Sequence, residues 1–185
     1  MSDNRVADYA ALCDSLVELR DKHATLDVPP TVDADAIIGA LHQFQECVRY
    51  LNTRRSSGAI LNLASEADVQ DAVYLMLRPW VHDLVSENPG DKVANRFAIK
   101  DFISRAAKTV IEVKYVRDEQ HGKRISSEMH DDIENYRHHP HCKTIVFFLY
   151  DPNSLIPDEQ SLREQIEEDR LYSGKALRCV LVLKP

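Results

Sequence analysis

Apolar positions follow a three-and-four rhythm over the first part of the chain and then give way to short alternating or unbroken runs. Tyr9, Leu12, Leu16 and Leu19 share one helix face, and Pro29-Pro30 stop that helix. Asp33 is placed to cap a second helix whose apolar line is Ile37, Leu41, Phe44, Val48 and Leu51, a seam of about two heptads. Residues 1–58 therefore read as an N-terminal helical hairpin, either folded on the main domain or used for dimerisation or partner docking. Arg54-Arg55-Ser56-Ser57-Gly58 reads as a loop or a frayed helix end.

A helix over 65–85 comes next. Ser65-x-x-Asp68 opens it as a capping box, and Val69, Val73, Leu77, Val81 and Leu84 form its buried side. Pro79 kinks or interrupts it, because proline removes a donor and crowds the preceding turn. Residues 86–91 are turn chemistry, and 98–104 and 109–116 read as consecutive strands of a hairpin. A helix over 125–137 points Ile125, Met129, Ile133 and Tyr136 inward. Residues 144–150, apolar on both faces, mark a strand covered on both sides, ended by Asp151-Pro152-Asn153. A short helix over 158–170 and a strand over 177–183 complete the order α-β-β-α-β-α-β, an α/β mixed sheet flanked by helices over residues 59–185.

Composition narrows the class. The 185 residues are 44% apolar and 29% charged, as in an ordinary globular protein. No apolar run reaches the roughly 20 residues of a membrane helix, and the N-terminus lacks the layout of a secretory signal, so a cytoplasmic setting is expected. Cys13, Cys47, Cys142 and Cys179 have no zinc-knuckle spacing and are expected to be small core residues. The net charge of −7 argues against tight nonspecific binding to nucleic acid. One stretch runs the other way: Arg96, Lys100, Arg105, Lys108, Lys114, Arg117, Lys123 and Arg124 make residues 93–130 net positive.

That stretch brackets the candidate chemistry. In a strand, Glu112 and Lys114 project to one face while Ile111, Val113 and Tyr115 project to the other. Charges on an interior strand cost several kcal/mol unless paired or bound to a metal, although an E-x-K on a solvent-facing strand would need no such account. Asp101 lies 11 residues upstream, where a hairpin can return its carboxylate beside Glu112. Two carboxylates and a lysine at one sheet edge suit phosphodiester hydrolysis. Hard oxygens hold Mg²⁺, the metal activates water and polarises phosphate, and the lysine orients that water, assists its deprotonation or neutralises charge. The Val113 carbonyl is a further candidate ligand.

Several segments also resemble a known family: Glu66-Ala67-Asp68-Val69-Gln70, Glu87, Lys100-Asp101-Phe102-Ile103, Ile111-Glu112-Val113-Lys114, Asp132-Ile133-Glu134-Asn135-Tyr136, residues 139–143, 147–152 and 180–185. In this order, over about residues 60–185, they resemble PD-(D/E)xK nuclease domains of the DpnII/MboI restriction-endonuclease-like group. The resemblance implies a Mg²⁺-dependent nuclease, with Mn²⁺ as substitute, in which Asp101 and Glu112 bind metal and Lys114 is catalytic. It implies a DNA substrate and an effector role in bacterial defence against phage. RNA cleavage at the same site and a catalytically silent assembly module are the alternatives. Two departures bear on substrate positioning: residues 93–99 lack the family's glycine- and serine-rich approach, and Glu128 stands where a glutamine is common.

Other residues carry two readings each. Glu66 and Gln70 share a helix face and could support the metal site, or Glu66 could stabilise a helix N-terminus. Glu87 is a turn acid that could support the same site. Tyr136 could shape the active site or fill the core. His138-His139-Pro140-His141-Cys142 lacks a second cluster to complete a zinc set and is better read as a helix end. Glu164, Glu167, Glu168 and Asp169 read as a solvated helix face.

Overall fold

The computed structural model describes residues 15, 32–53, 61–86, 102–137, 139, 142–168, 170–172 and 175–185. Val32–Pro185 is a compact unit of its own. In it, α1 (Ala34–His42), α2 (Phe44–Asn52) and α3 (Glu66–Leu77) precede β1 (Leu84–Ser86), β2 (Phe102–Ser104) and β3 (Thr109–Tyr115). Then come α4 (Glu119–Tyr136), β4 (Thr144–Tyr150), α5 (Glu159–Ile166), β5 (Arg170–Tyr172) and β6 (Lys175–Lys184).

The sheet has the order β1-β2-β3-β4-β6-β5. Its first three strands are antiparallel neighbours, β3, β4 and β6 run parallel, and β5 returns antiparallel on β6. Every residue of β4 is buried, because helices cover both faces. Alternation divides its side chains. Val146, Phe148 and Tyr150 join Ile111 and Val113 in a core with α1, α2 and α3, while Ile145, Phe147 and Leu149 join Val110 in a second core with α4 and α5.

The expected second N-terminal helix is two helices that meet at Gln43, whose N–H donates to Ala40 O at 2.9 Å. The break lets Phe44 turn its ring onto Phe148, with centroids 4.8 Å apart, so the apolar seam is used by the core. The Asp33 cap is present, with Ala36 N–H donating to its Oδ1 at 2.8 Å. Apart from Ser15, the preceding expected helix lies outside the described residues.

The capping box also forms: Asp68 N–H donates to Ser65 Oγ at 3.3 Å, and Ser65 Oγ donates back to Asp68 Oδ2 at 2.8 Å. The helix expected over 65–85 ends at Leu77, because Pro79 cannot continue the ladder. Val81 and Leu84 are buried as expected, but from a turn and from β1. Asp83 in that turn holds the β2–β3 hairpin: its Oδ1 accepts from Ser104 Oγ at 2.8 Å and its Oδ2 from Ala106 N–H at 2.7 Å. Asp83→Ala orphans both donors, so unfolding is expected to be easier by ~1–3 kcal/mol. A urea titration checks this, and an unchanged midpoint would refute the anchoring role.

The helix over 158–170 is shorter than expected, and Glu167 is not merely solvated. Leu181 on β6 lies beyond the stretch that β5 covers. Its N–H donates to Glu167 Oε1 at 2.8 Å and its carbonyl accepts from Arg163 Nη1 at 2.7 Å, so this side-chain pair blocks part of an open sheet edge. In Glu167→Ala the Leu181 amide is expected to exchange with deuterium at least about tenfold faster, the equivalent of ~1.4 kcal/mol. Unaltered protection would mean that the edge is covered in some other way. Cys142 and Cys179 are buried as expected, but Cys47 is exposed, because it lies on the outer side of α2.

Candidate active site

β3 places Glu112 and Lys114 on the face opposite Ile111 and Val113, as alternation requires. That face looks onto α4. Glu112 is 4% exposed, and its Oε1 accepts a hydrogen bond from the Tyr136 hydroxyl. Lys114 Nζ lies 2.8 Å from Asp132 Oδ2, with the two side chains 17% and 23% exposed. Tyr136 is therefore both a core residue and a partner of the strand carboxylate. Asp132 belongs to this group although periodicity alone did not single it out. The signal was available, since a residue four positions before Tyr136 shares its helix face.

Spacing explains the match. Two residues along a strand advance ~6.7 Å and four along a helix ~6 Å, so an i, i+2 pair on β3 can meet an i, i+4 pair on α4. Glu112 meets Tyr136 and Lys114 meets Asp132, in opposite chain directions.

Glu66 lies at the N-terminus of α3 and reaches β3 by accepting from Tyr115 N–H through Oε2 at 3.3 Å. Gln70, one turn on, is half-buried. Burial by itself would lower the Lys114 pKa. The carboxylates of Asp132, Glu112 and Glu66 more than offset that and hold the ammonium above its ordinary value. For Asp132 burial acts upward and outweighs Lys114, with Glu128 and Asp131 adding to the rise.

The second family departure has its own structural use: Glu128 Oε2 sits 3.3 Å from Nε2 of the buried His121. Asp101, Glu87, Arg96, His138 and His141 lie outside the described residues. Among the described residues no group of three or more His, Cys, Asp or Glu gathers to hold a metal. Glu112 is nonetheless a hard oxygen donor in a largely dehydrated position, which suits Mg²⁺ better than a soft metal.

A mixed sheet flanked by helices, with Glu-x-Lys on an interior strand beneath a long helix, defines a restriction-endonuclease-like α/β domain. The REase_DpnII-MboI family model matches residues 36–180, and the chain belongs to the DpnII-MboI restriction endonuclease family. The match begins in α1, earlier than the residue-60 start of the motif resemblance, consistent with α1 and α2 supplying core. No curated protein and no solved structure matches the chain. Membership makes its chemistry that of a nuclease, a hydrolase with DNA as the substrate type. Among the described residues no helix is long and apolar enough to cross a membrane.

Proposed function

We propose that the protein is a Mg²⁺-dependent endonuclease that cuts foreign DNA, with Mn²⁺ able to substitute. The observation that carries this reading is that Glu112 and Lys114 share one face of β3 in a nuclease-family fold, the carboxylate buried and the ammonium half-buried beside Asp132. Desolvating the Glu112 carboxylate costs several kcal/mol, a burden that stability alone would avoid with an apolar residue.

Glu112, the Val113 carbonyl and Asp101 would hold the ion, with Glu66 and Gln70 as support. A bound Mg²⁺ supplies phosphate polarisation and a more acidic water. Asp101 directly precedes Phe102, and Phe102 pairs with Ile111, the residue before Glu112. Held as an ammonium, Lys114 neutralises charge that builds on the phosphate and orients the attacking water.

The acidic surface weakens nonspecific DNA binding, so assembly or a partner through the N-terminal residues belongs to this proposal. A bacterial setting for defence and a cytoplasmic location are part of this proposal, supported by the restriction-endonuclease character of the family. A silent module of the same fold is favoured by one observation, the pairing of Lys114 with Asp132.

The test is cleavage of plasmid DNA with Mg²⁺, beside single-stranded RNA, by wild type, Lys114→Ala and Asp101→Ala. Loss in both variants supports the site, and equal cleavage by all three proteins overturns it. Preferred cutting of RNA would change the substrate. Failure to bind Mn²⁺ in calorimetry would favour the silent module.

A further inference from the structure

We propose that α4 aims the strand pair, with Asp132 as the positioning residue for the Lys114 ammonium and Tyr136 as that for the Glu112 carboxylate. The inference rests on the nuclease reading above and adds to it the residues that set the geometry.

Three observations support it. The two contacts come from one helix face at a spacing that matches the strand, so α4 engages both groups as one rigid body. Between these two residues Ile133 packs into the core, as does Met129 one turn before, so the helix cannot roll without disturbing that layer. A lysine on its flexible four-carbon stem samples many rotamers. The 2.8 Å pair with Asp132 removes that freedom before substrate arrives. An ammonium has three N–H donors, so one carboxylate partner leaves donors for a phosphate oxygen or a water.

The two contacts act on different steps. Tyr136 touches the proposed metal ligand, so its hydroxyl bears on ion binding. Asp132 touches the lysine, so it bears on turnover.

Plasmid-cleavage kinetics and Mn²⁺ calorimetry on the full chain test this with Asp132→Asn, Asp132→Glu and Tyr136→Phe, beside Glu112→Gln. Asp132→Asn is expected to lower kcat about 10- to 100-fold, with KM and Mn²⁺ affinity each within about threefold. Asp132→Glu is expected to restore kcat to within about tenfold of wild type, since the charge returns on a longer arm. Tyr136→Phe is expected to weaken Mn²⁺ binding roughly tenfold or more. Should Asp132→Asn and Tyr136→Phe leave kcat and Mn²⁺ affinity unchanged while Glu112→Gln abolishes cleavage, the positioning roles are refuted and the nuclease reading stands. If Glu112→Gln cleaves like wild type, the carboxylate is structural and the proposed active site itself fails. Equal losses in every parameter, with a lowered melting temperature in both α4 variants, would show plain core fasteners and overturn the proposal.

Discussion

Glu112→Gln is expected to abolish DNA cleavage, with a fall in kcat of at least about 10²- to 10³-fold, and to weaken Mn²⁺ binding alongside it. The substitution keeps side-chain volume in a site that is only 4% exposed, and the new amide oxygen can still accept from the Tyr136 hydroxyl. Packing is preserved while the negative charge is lost. Lys114 keeps Asp132 as its closest carboxylate, so the ammonium is not left unpaired. Stability is therefore expected to stay within ~1 kcal/mol, and removal of a dehydrated charge can even raise it. Activity, Mn²⁺ affinity and melting temperature measured on one preparation separate these effects. Full cleavage by this variant would mean that the carboxylate is structural.

Gly122→Ala is expected to lower the melting temperature by ~4–8 °C, from a net loss of ~2 kcal/mol in a chain of this size. A Cβ at this position would sit 2.4 Å from the Leu155 carbonyl oxygen and 3.0 Å from its carbon. Those atoms are backbone, and the loop that carries them is pinned. Asp151, 2% exposed, accepts from Leu155 N–H and Ile156 N–H, both at 2.9 Å. Helix propensity favours alanine over glycine by ~1 kcal/mol, which offsets part of an overpacking cost of ~3 kcal/mol. The alternative to breaking the loop is displacement of α4, the helix that carries Asp132 and Tyr136, so cleavage should fall together with stability. A rise in melting temperature would show that the helix and loop are not in close contact.

Both variants touch residues whose neighbours differed in how far they could be read ahead of the structure. Alternation in Val110-Ile111-Glu112-Val113-Lys114 places the two charged residues on one face because strand geometry has a period of two, and the observed strand obeys it. The same local logic covers the Asp33 cap, the Ser65–Asp68 box and the wholly buried run from Thr144 to Tyr150. Each depends on side chains within four positions of one another or on a simple repeat.

Two misread elements turned on contacts between distant segments, and a third on a local cap. β1 forms because Pro79 ends α3 and β2 offers a partner, which an apolar helical rhythm continuing to Leu84 disguised. The helix break at Gln43 follows from the fit of Phe44 against Phe148, about a hundred residues away in sequence. α4 begins at Glu119 because Asp118 caps it through His121 N–H at 2.7 Å, where the local run with Gly122 has weak helix propensity.

The amino-acid order by itself determined the fold class and which strand carries the charged pair, because periodicity and capping are local physics. Only the tertiary structure decided that Asp132 meets Lys114, that Tyr136 meets Glu112, and that Glu167 closes a sheet edge. Those partners depend on how a helix docks on a sheet, which is set by the summed packing of two cores rather than by any short stretch of chain.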